Sequence, residues 1–275
     1  MRIGFIGVGD LGGAMALMIA RAGLDVTVWA RRSTSLDQFA GTSVGIAQSA
    51  RALGAGVDVL CLCVFSAADI ESVLFDQGAA DGLRPGSTVV VHSTIGPPAC
   101  ERIARRLAGS GIDTLDAPIG GGPRHARAQL LTVMAGGEAA VLDRVRPVFG
   151  AYARSVHHLG GIGAGQRTKV VNNITHLVNI DNALRALAVA EDGGIDREEA
   201  RSVFLHSSAA SFAIDETVPR LGDAPGHFVD LMRKELDAFR RMTDADTPGA
   251  PELGAAAEEA LRHLERRAAE QGEPA

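Results

Sequence analysis

Short apolar runs alternate with longer stretches of mixed character through the first half of the chain. Residues 3–6, 25–30, 57–65, 88–91, 112–115 and 131–135 have the length and composition of strands. Between them, residues 11–22, 98–108 and 138–149 carry helical composition, the first closed by Gly23. Strands that stay apolar along their whole length have no solvent face. Their alternation with helices predicts a parallel sheet covered on both sides.

Beyond Gly165 the period changes. Residues 166–191 contain neither Pro nor Gly and repeat apolar positions at helical intervals. A helix of about 26 residues would span roughly 39 Å at 1.5 Å per residue. Gly193-Gly194 ends it, and residues 197–205, 228–242 and 252–269 continue as helix. Four glycines crowd the interval 160–165 and mark a boundary, giving one domain over 1–162 and a second over 163–275. The polar tail 270–275 is expected to fray.

The first strand runs directly into Gly7-Val8-Gly9-Asp10-Leu11-Gly12, and a helix follows. With 33 glycines in 275 residues the Gly-x-Gly-x-x-Gly spacing alone is weak, but its place between strand and helix is the one that dinucleotide binding requires. The first Gly makes the turn, the second admits the pyrophosphate to the backbone, and the third lets helix and strand pack closely. The helix N-terminus then offers free N–H groups to the phosphates. This makes the first domain a Rossmann fold, a doubly wound parallel sheet joined by the long helix to an all-helical C-terminal domain.

The end of the second strand bears on which dinucleotide. An acidic residue there accepts a ribose hydroxyl of NAD. This chain has Trp29-Ala30-Arg31-Arg32-Ser33 and no carboxylate before Asp37. Guanidinium forks suit a 2′-phosphate, so Arg31, Arg32 and Ser33 favour NADP(H) over NAD(H). Val64 and Phe65, closing the 57–65 run, are counted with the cofactor site.

Composition narrows the partners. A net charge of −6 would repel nucleic acid and anionic membrane alike, and no apolar run approaches a bilayer span. The N-terminus lacks the pattern of a signal peptide, and three cysteines without companion ligands argue against a metal site. Cys61 and Cys63, two apart in an extended run, are poorly placed for a disulfide, so a reducing cytoplasm is expected.

Five motifs in order resemble the β-hydroxyacid dehydrogenase family, which includes 3-hydroxyisobutyrate dehydrogenase and, more distantly, 6-phosphogluconate dehydrogenase. They are the glycine fingerprint, His92-Ser93-Thr94-Ile95-Gly96-Pro97, Asp116-Ala117-Pro118-Ile119-Gly120-Gly121-Gly122, Lys169-Val170-Val171-Asn172-Asn173 after Gly163-Ala164-Gly165-Gln166, and Lys234-Glu235-Leu236. The resemblance implies hydride transfer between a nicotinamide and a small 3-hydroxy acid or its semialdehyde. It also implies a homodimer or homotetramer assembled through the helical domain. It makes Lys169 the catalytic lysine and Asn173 its partner, sets Thr94 near the nicotinamide, and has Lys234 close over cofactor or substrate. Gly120, Gly121 and Gly122 fall in the substrate loop, and Ser211-Phe212 resembles a Ser-Trp pair at the substrate pocket.

The chemistry fits those residue types. A carbonyl that receives hydride becomes an alkoxide and needs a proton, which a positioned lysine delivers and, in reverse, removes. Lys169 and Asn173, at i and i+4, project from one helix face. Three glycines offer successive backbone N–H donors to a carboxylate. The sequence departs from the family at Gly120 (a serine there holds substrate), at Gln129-Leu130 (Gly-Thr), at Val91 (Asp) and at Arg185 (Glu). These changes leave open an imine reductase or another carbonyl reductase on the same scaffold. A non-catalytic NADP-binding module would be expected to have lost Lys169.

Overall fold

The central strands of the principal sheet are buried at every position, which explains the unbroken apolar runs at 59–62 and 88–91. In the computed structural model, which describes residues 1–223 and 225–270, β1 (Arg2–Ile6), β2 (Asp25–Trp29), β3 (Gly45–Ile46), β4 (Val59–Leu62), β5 (Thr88–Val91) and β6 (Asp113–Asp116) pair in parallel throughout. Their order is β3-β2-β1-β4-β5-β6. On β4, Val59 and Cys61 enter one apolar cluster while Leu60 and Leu62 enter another; on β5, Val90 joins the first, Val89 and Val91 the second.

Helices fill both sides. Met15 and Ile19 of α1 (Asp10–Arg21) lie in the first cluster. Leu53 of α2 (Ala50–Gly56) and Ile70 of α3 (Ala67–Glu71) lie in the second, with Ala79 of α4 (Ala79–Gly82) and Ile103 of α5 (Pro97–Ala108). The strand order reverses beside β1, which is where doubly wound sheets open a crevice at their carboxyl ends.

The run 131–135 does not extend this sheet. It forms β8 (Leu131–Ala135), the middle strand of a second, three-stranded sheet with β7 (Ile119–Gly120) and β9 (Ala153–His158). β7 pairs antiparallel with β8, and β9 parallel. A single bridge between Asp116 and Gly136 ties the two sheets. α6 (Gly122–Arg127) and α7 (Ala139–Gly150) flank this part, contributing Ala126, Val145 and Phe149 to the first cluster.

The chain divides into two compact units, Met1–Lys169 and the part from Val170 onward. α8 (Ala164–Asp192) begins in the first and continues into the second. The second unit also holds α9 (Arg197–Leu205), α10 (Pro225–Met242) and α11 (Ala250–Glu270). Its core takes Ile174, Leu177, Ile180, Leu184 and Leu187 from one stripe of α8, Leu236 and Phe239 from α10, and Leu261 and Leu264 from α11.

Arg185 has a use within this unit. It pairs with the buried Asp181 at 2.8 Å and with Glu259 of α11 at 3.1 Å, while His263 also bonds Asp181. The polar tail beyond residue 270 lies outside the described residues. Among the described residues no helix is long and apolar enough to cross a membrane, and no cluster of three potential metal ligands occurs.

Candidate active site

The glycine fingerprint closes tightly at both ends and is open in the middle. Gly7 turns at φ +92°, and a Cβ there would collide with the Cys63 carbonyl oxygen of β4's exit loop. A Cβ on Gly12 would strike the Gly7 carbonyl oxygen. Gly9 faces open space, and no side chain caps the α1 N-terminus that it begins. The cradle therefore fits a dinucleotide pyrophosphate: the uncapped α1 N-terminus has backbone donors to give, and Gly9 has open space beside it. Gln38 steadies this turn from the segment after β2, donating to Val8 O at 2.7 Å and Ser35 O at 2.8 Å.

Arg31 and Arg32 follow β2 and are both exposed, with Ser33 at the start of a 3-10 turn. The Arg31 guanidinium contacts Asp69 of α3 at 2.9 Å. Asp69 also accepts the Ser66 hydroxyl, and these two partners hold its carboxyl below the ordinary range, Ser66 contributing more. Beyond β4, Val64 donates its N–H to Ser93 Oγ at 2.9 Å, and the Phe65 ring is exposed.

The exit from β5 is held by a residue that the motif reading treated only as part of a lead-in. Gln166, fully buried on the first turn of α8, donates from Nε2 to Ser93 O at 2.9 Å. Its Oε1 accepts from Ile95 N at 2.8 Å and Gly96 N at 3.1 Å. Thr94 is thus bracketed on both sides by one amide. The start of α8 is itself fastened by Asp116, whose carboxylate accepts Gly163 N and Gln166 N, each at 2.7 Å. Burial pushes the Asp116 carboxyl upward, and the N–H bonds oppose that shift. Asp116 of the Asp-Ala-Pro motif is therefore a helix cap in this fold.

Lys169 follows Gln166 by three residues on α8 and is half-buried, as is Asn173 one turn later. His176 continues the same face at i+7 from Lys169. In the second unit the His176 ring meets Phe212 edge-on with centroids 5.6 Å apart, and its Nε2 lies 3.0 Å from the Thr217 hydroxyl. Lys234 is half-buried on α10.

Gly120 ends β7, and Gly121 (φ +125°) caps α6, which begins at Gly122. Entry to this loop is fixed by a buried histidine. His92 Nδ1 donates to Ala117 O at 2.7 Å, since a carbonyl only accepts, and Nε2 accepts the Tyr152 hydroxyl at 3.1 Å. Burial lowers the imidazole pKa to about 4. Gln129 keeps a left-handed backbone at φ 58°, the conformation a glycine would favour, and donates to Ala151 O.

The motif reading missed Gln38, Asp69, Tyr152 and His176, and it held His92 only as the lead-in to the Ser-Thr motif, with no role of its own. Only Tyr152, the chain's single tyrosine, carried a visible signal: a polar group on a side chain that folding tends to bury.

Comparison with known proteins agrees with this architecture. Residues 2–160 match the NAD-binding domain of 6-phosphogluconate dehydrogenase, and residues 163–273 match the NAD-binding domain of NADP-dependent 3-hydroxyisobutyrate dehydrogenase. The chain is 34% identical to 2-hydroxy-3-oxopropionate reductase of Escherichia coli, covering 86% of this chain and 82% of that one. It is 31% identical to NAD-dependent L-serine dehydrogenase of Pseudomonas aeruginosa, covering 91% and 88%. The crystal structure of 3-hydroxyisobutyrate dehydrogenase from Salmonella typhimurium superposes with a TM-score of 0.82 at 31% identity, over 99% of this chain and 95% of that one. With a fingerprint cradle, a doubly wound sheet and a helical unit entered through one long helix, the chain belongs to the 3-hydroxyisobutyrate dehydrogenase-like β-hydroxyacid dehydrogenase family, oxidoreductases that act on small hydroxy acids with NAD(P).

Proposed function

We propose that this enzyme moves hydride between NADP(H) and a small 3-hydroxy acid or its semialdehyde, with Lys169 as general acid and base. The observation that carries the reading is the Gln166 amide. It fixes the Thr94 loop at the carboxyl edge of the sheet, on the side where the open Gly9 cradle lies, and stands one helical turn before Lys169.

When bound, the nicotinamide supplies or accepts the hydride. In the reducing direction the Lys169 ammonium gives a proton to the substrate oxygen as the carbonyl is reduced; in oxidation the neutral amine takes that proton back. Asn173, one turn on, presents a side-chain amide to the same oxygen or to the lysine. The backbone N–H groups at Gly121 and Gly122 are suited to a carboxylate. Gly120, with no hydroxyl, offers it nothing further. Arg31 and Arg32 favour the phosphorylated dinucleotide. The 3-hydroxy acid class takes support from relatives named for L-serine and 2-hydroxy-3-oxopropionate. Exposed Val189, Ile195 and Val203 on the second unit support self-association there.

The test is a panel of L-serine, L-threonate, 3-hydroxyisobutyrate and 2-hydroxy-3-oxopropionate, assayed with each dinucleotide by nicotinamide absorbance, beside cyclic imines. Turnover of a hydroxy acid or its aldehyde that disappears in Lys169→Ala is the expected result. Turnover of imines alone, or full activity in Lys169→Ala, overturns the reading.

A further inference from the structure

β2 and β4 are the two neighbours of β1, and β1 runs into the glycine cradle. Arg31 leaves the end of β2, and Asp69 stands on α3 beyond the end of β4. Their 2.9 Å ion pair therefore crosses the carboxyl end of β1, over the entrance to the fingerprint. A dinucleotide seated on the α1 N-terminus sends its adenosine half toward the end of β2. It must enter where this pair closes the gap.

The two partners differ in freedom. The Arg31 side chain is 61% exposed and able to swing, whereas Asp69 is 20% exposed and anchored through Ser66, which bonds its carboxylate at 2.7 Å and its backbone N–H at 3.1 Å. An incoming 2′-phosphate must draw Arg31 from a carboxylate that stays in place and whose charge repels it. A dinucleotide with a free 2′-hydroxyl meets no such repulsion.

We propose that Asp69 is a specificity-determining residue: it competes with the 2′-phosphate for the Arg31 guanidinium and so holds down the preference for NADP(H) over NAD(H). This rests on the reading of Arg31 as the phosphate-side residue. The native enzyme then uses both dinucleotides with a narrow affinity ratio, although the end of β2 lacks the acidic residue of an NAD site.

Binding can be followed without turnover. Trp29, the single tryptophan, ends β2 just before Arg31, so its emission transfers to reduced nicotinamide when dinucleotide is bound. NADPH and NADH are titrated into the wild type, Asp69→Asn, Asp69→Glu, Arg31→Ala and the double variant Arg31→Ala/Asp69→Asn. Asn preserves the acceptor for Ser66, and circular dichroism verifies folding. Release from an exposed ion pair plus removal of the repulsion should tighten NADPH binding roughly three- to tenfold in Asp69→Asn, with NADH unchanged. Asp69→Glu should show no gain, and the gain should vanish when Arg31 is absent.

If Arg31→Ala weakens NADPH but Asp69→Asn leaves it unchanged or weaker, the competition is overturned while the cofactor reading stands. A gain that persists without Arg31 also overturns it, since Asp69 would then act by general repulsion. If Arg31→Ala leaves NADPH affinity intact, the cofactor reading fails and this inference falls with it.

Discussion

Gln166 accepts the backbone amide of Ile95 on its side-chain oxygen at 2.8 Å, across 71 positions of sequence. Together with the bonds to Gly96 and Ser93, this one side chain joins the exit loop of β5 to the first turn of α8. Leucine at this position fills the space but leaves two N–H groups and a carbonyl without partners. Gln166→Leu should lower the unfolding free energy by about 3 kcal/mol or more, at ~1–3 kcal/mol for each of the three buried groups left unsatisfied. Urea titration measures this. Turnover should fall further than dinucleotide binding, because the Thr94 loop and Lys169 lose their common anchor.

Two of the fingerprint glycines should separate folding from binding. Gly12→Ala pushes a methyl into the Gly7 carbonyl and should cost roughly 2–4 kcal/mol of stability. Gly9→Ala meets open space, so its melting temperature should stay near that of the wild type while NADPH affinity drops at least about tenfold. Thermal melts and Trp29 titrations distinguish the two. A Gly9→Ala protein that binds normally would remove the pyrophosphate from this cradle.

For Lys169→Ala, the expectation is a fall in kcat of about 10²–10⁴ with NADPH binding retained. Lys169→Arg keeps the charge and loses the readily exchanged proton, so its turnover should resemble that of alanine more than that of lysine. The check is steady-state kinetics beside fluorescence titration.

His92 makes stability depend on acid. Its folded pKa of about 4 lies below the ordinary imidazole value near 6.5, so the unfolded chain binds more protons between these limits. Stability is full above about pH 6.5 and is lost as pH falls through that window, by on the order of 3 kcal/mol at its acid end. His92→Gln should flatten this slope in denaturant titrations between pH 7 and 4.5, at the cost of a lower plateau. An unchanged slope would place the acid sensitivity elsewhere.

Periodicity made the elements legible. Residues 88–91 and 131–135 are strands at those limits, and the helix read at 197–205 has those ends. The long helix read at 166–191 extends by two residues at its start and one at its end, because Asp116 and its glycine neighbours cap it before Gln166. What stayed hidden is what periodicity does not encode. β3 and β7 are two residues long, and β9 carries polar, partly exposed positions that resemble a loop. The run 131–135 looked like one more parallel strand, but its partners are chosen by distant pairing rather than by its own composition.

The candidate site was legible where a motif tied residue type to backbone shape, as at Gly7, Gly9 and Gly12. Gln166, Asp69 and His92 act through partners 71, 38 and 25 positions away, and no local spacing announces such bonds. The Arg185 substitution, without a reason in sequence, finds one in Asp181 and Glu259.

The short interval from Gln166 to Lys169 has an evolutionary corollary. A helix turns about 100° per residue, so inserting or deleting one amino acid between them would swing the amine about a third of the way around the rod while the anchor stayed put. Relatives that keep this lysine should vary freely in the length of their surface loops, yet hold that spacing without a single gap.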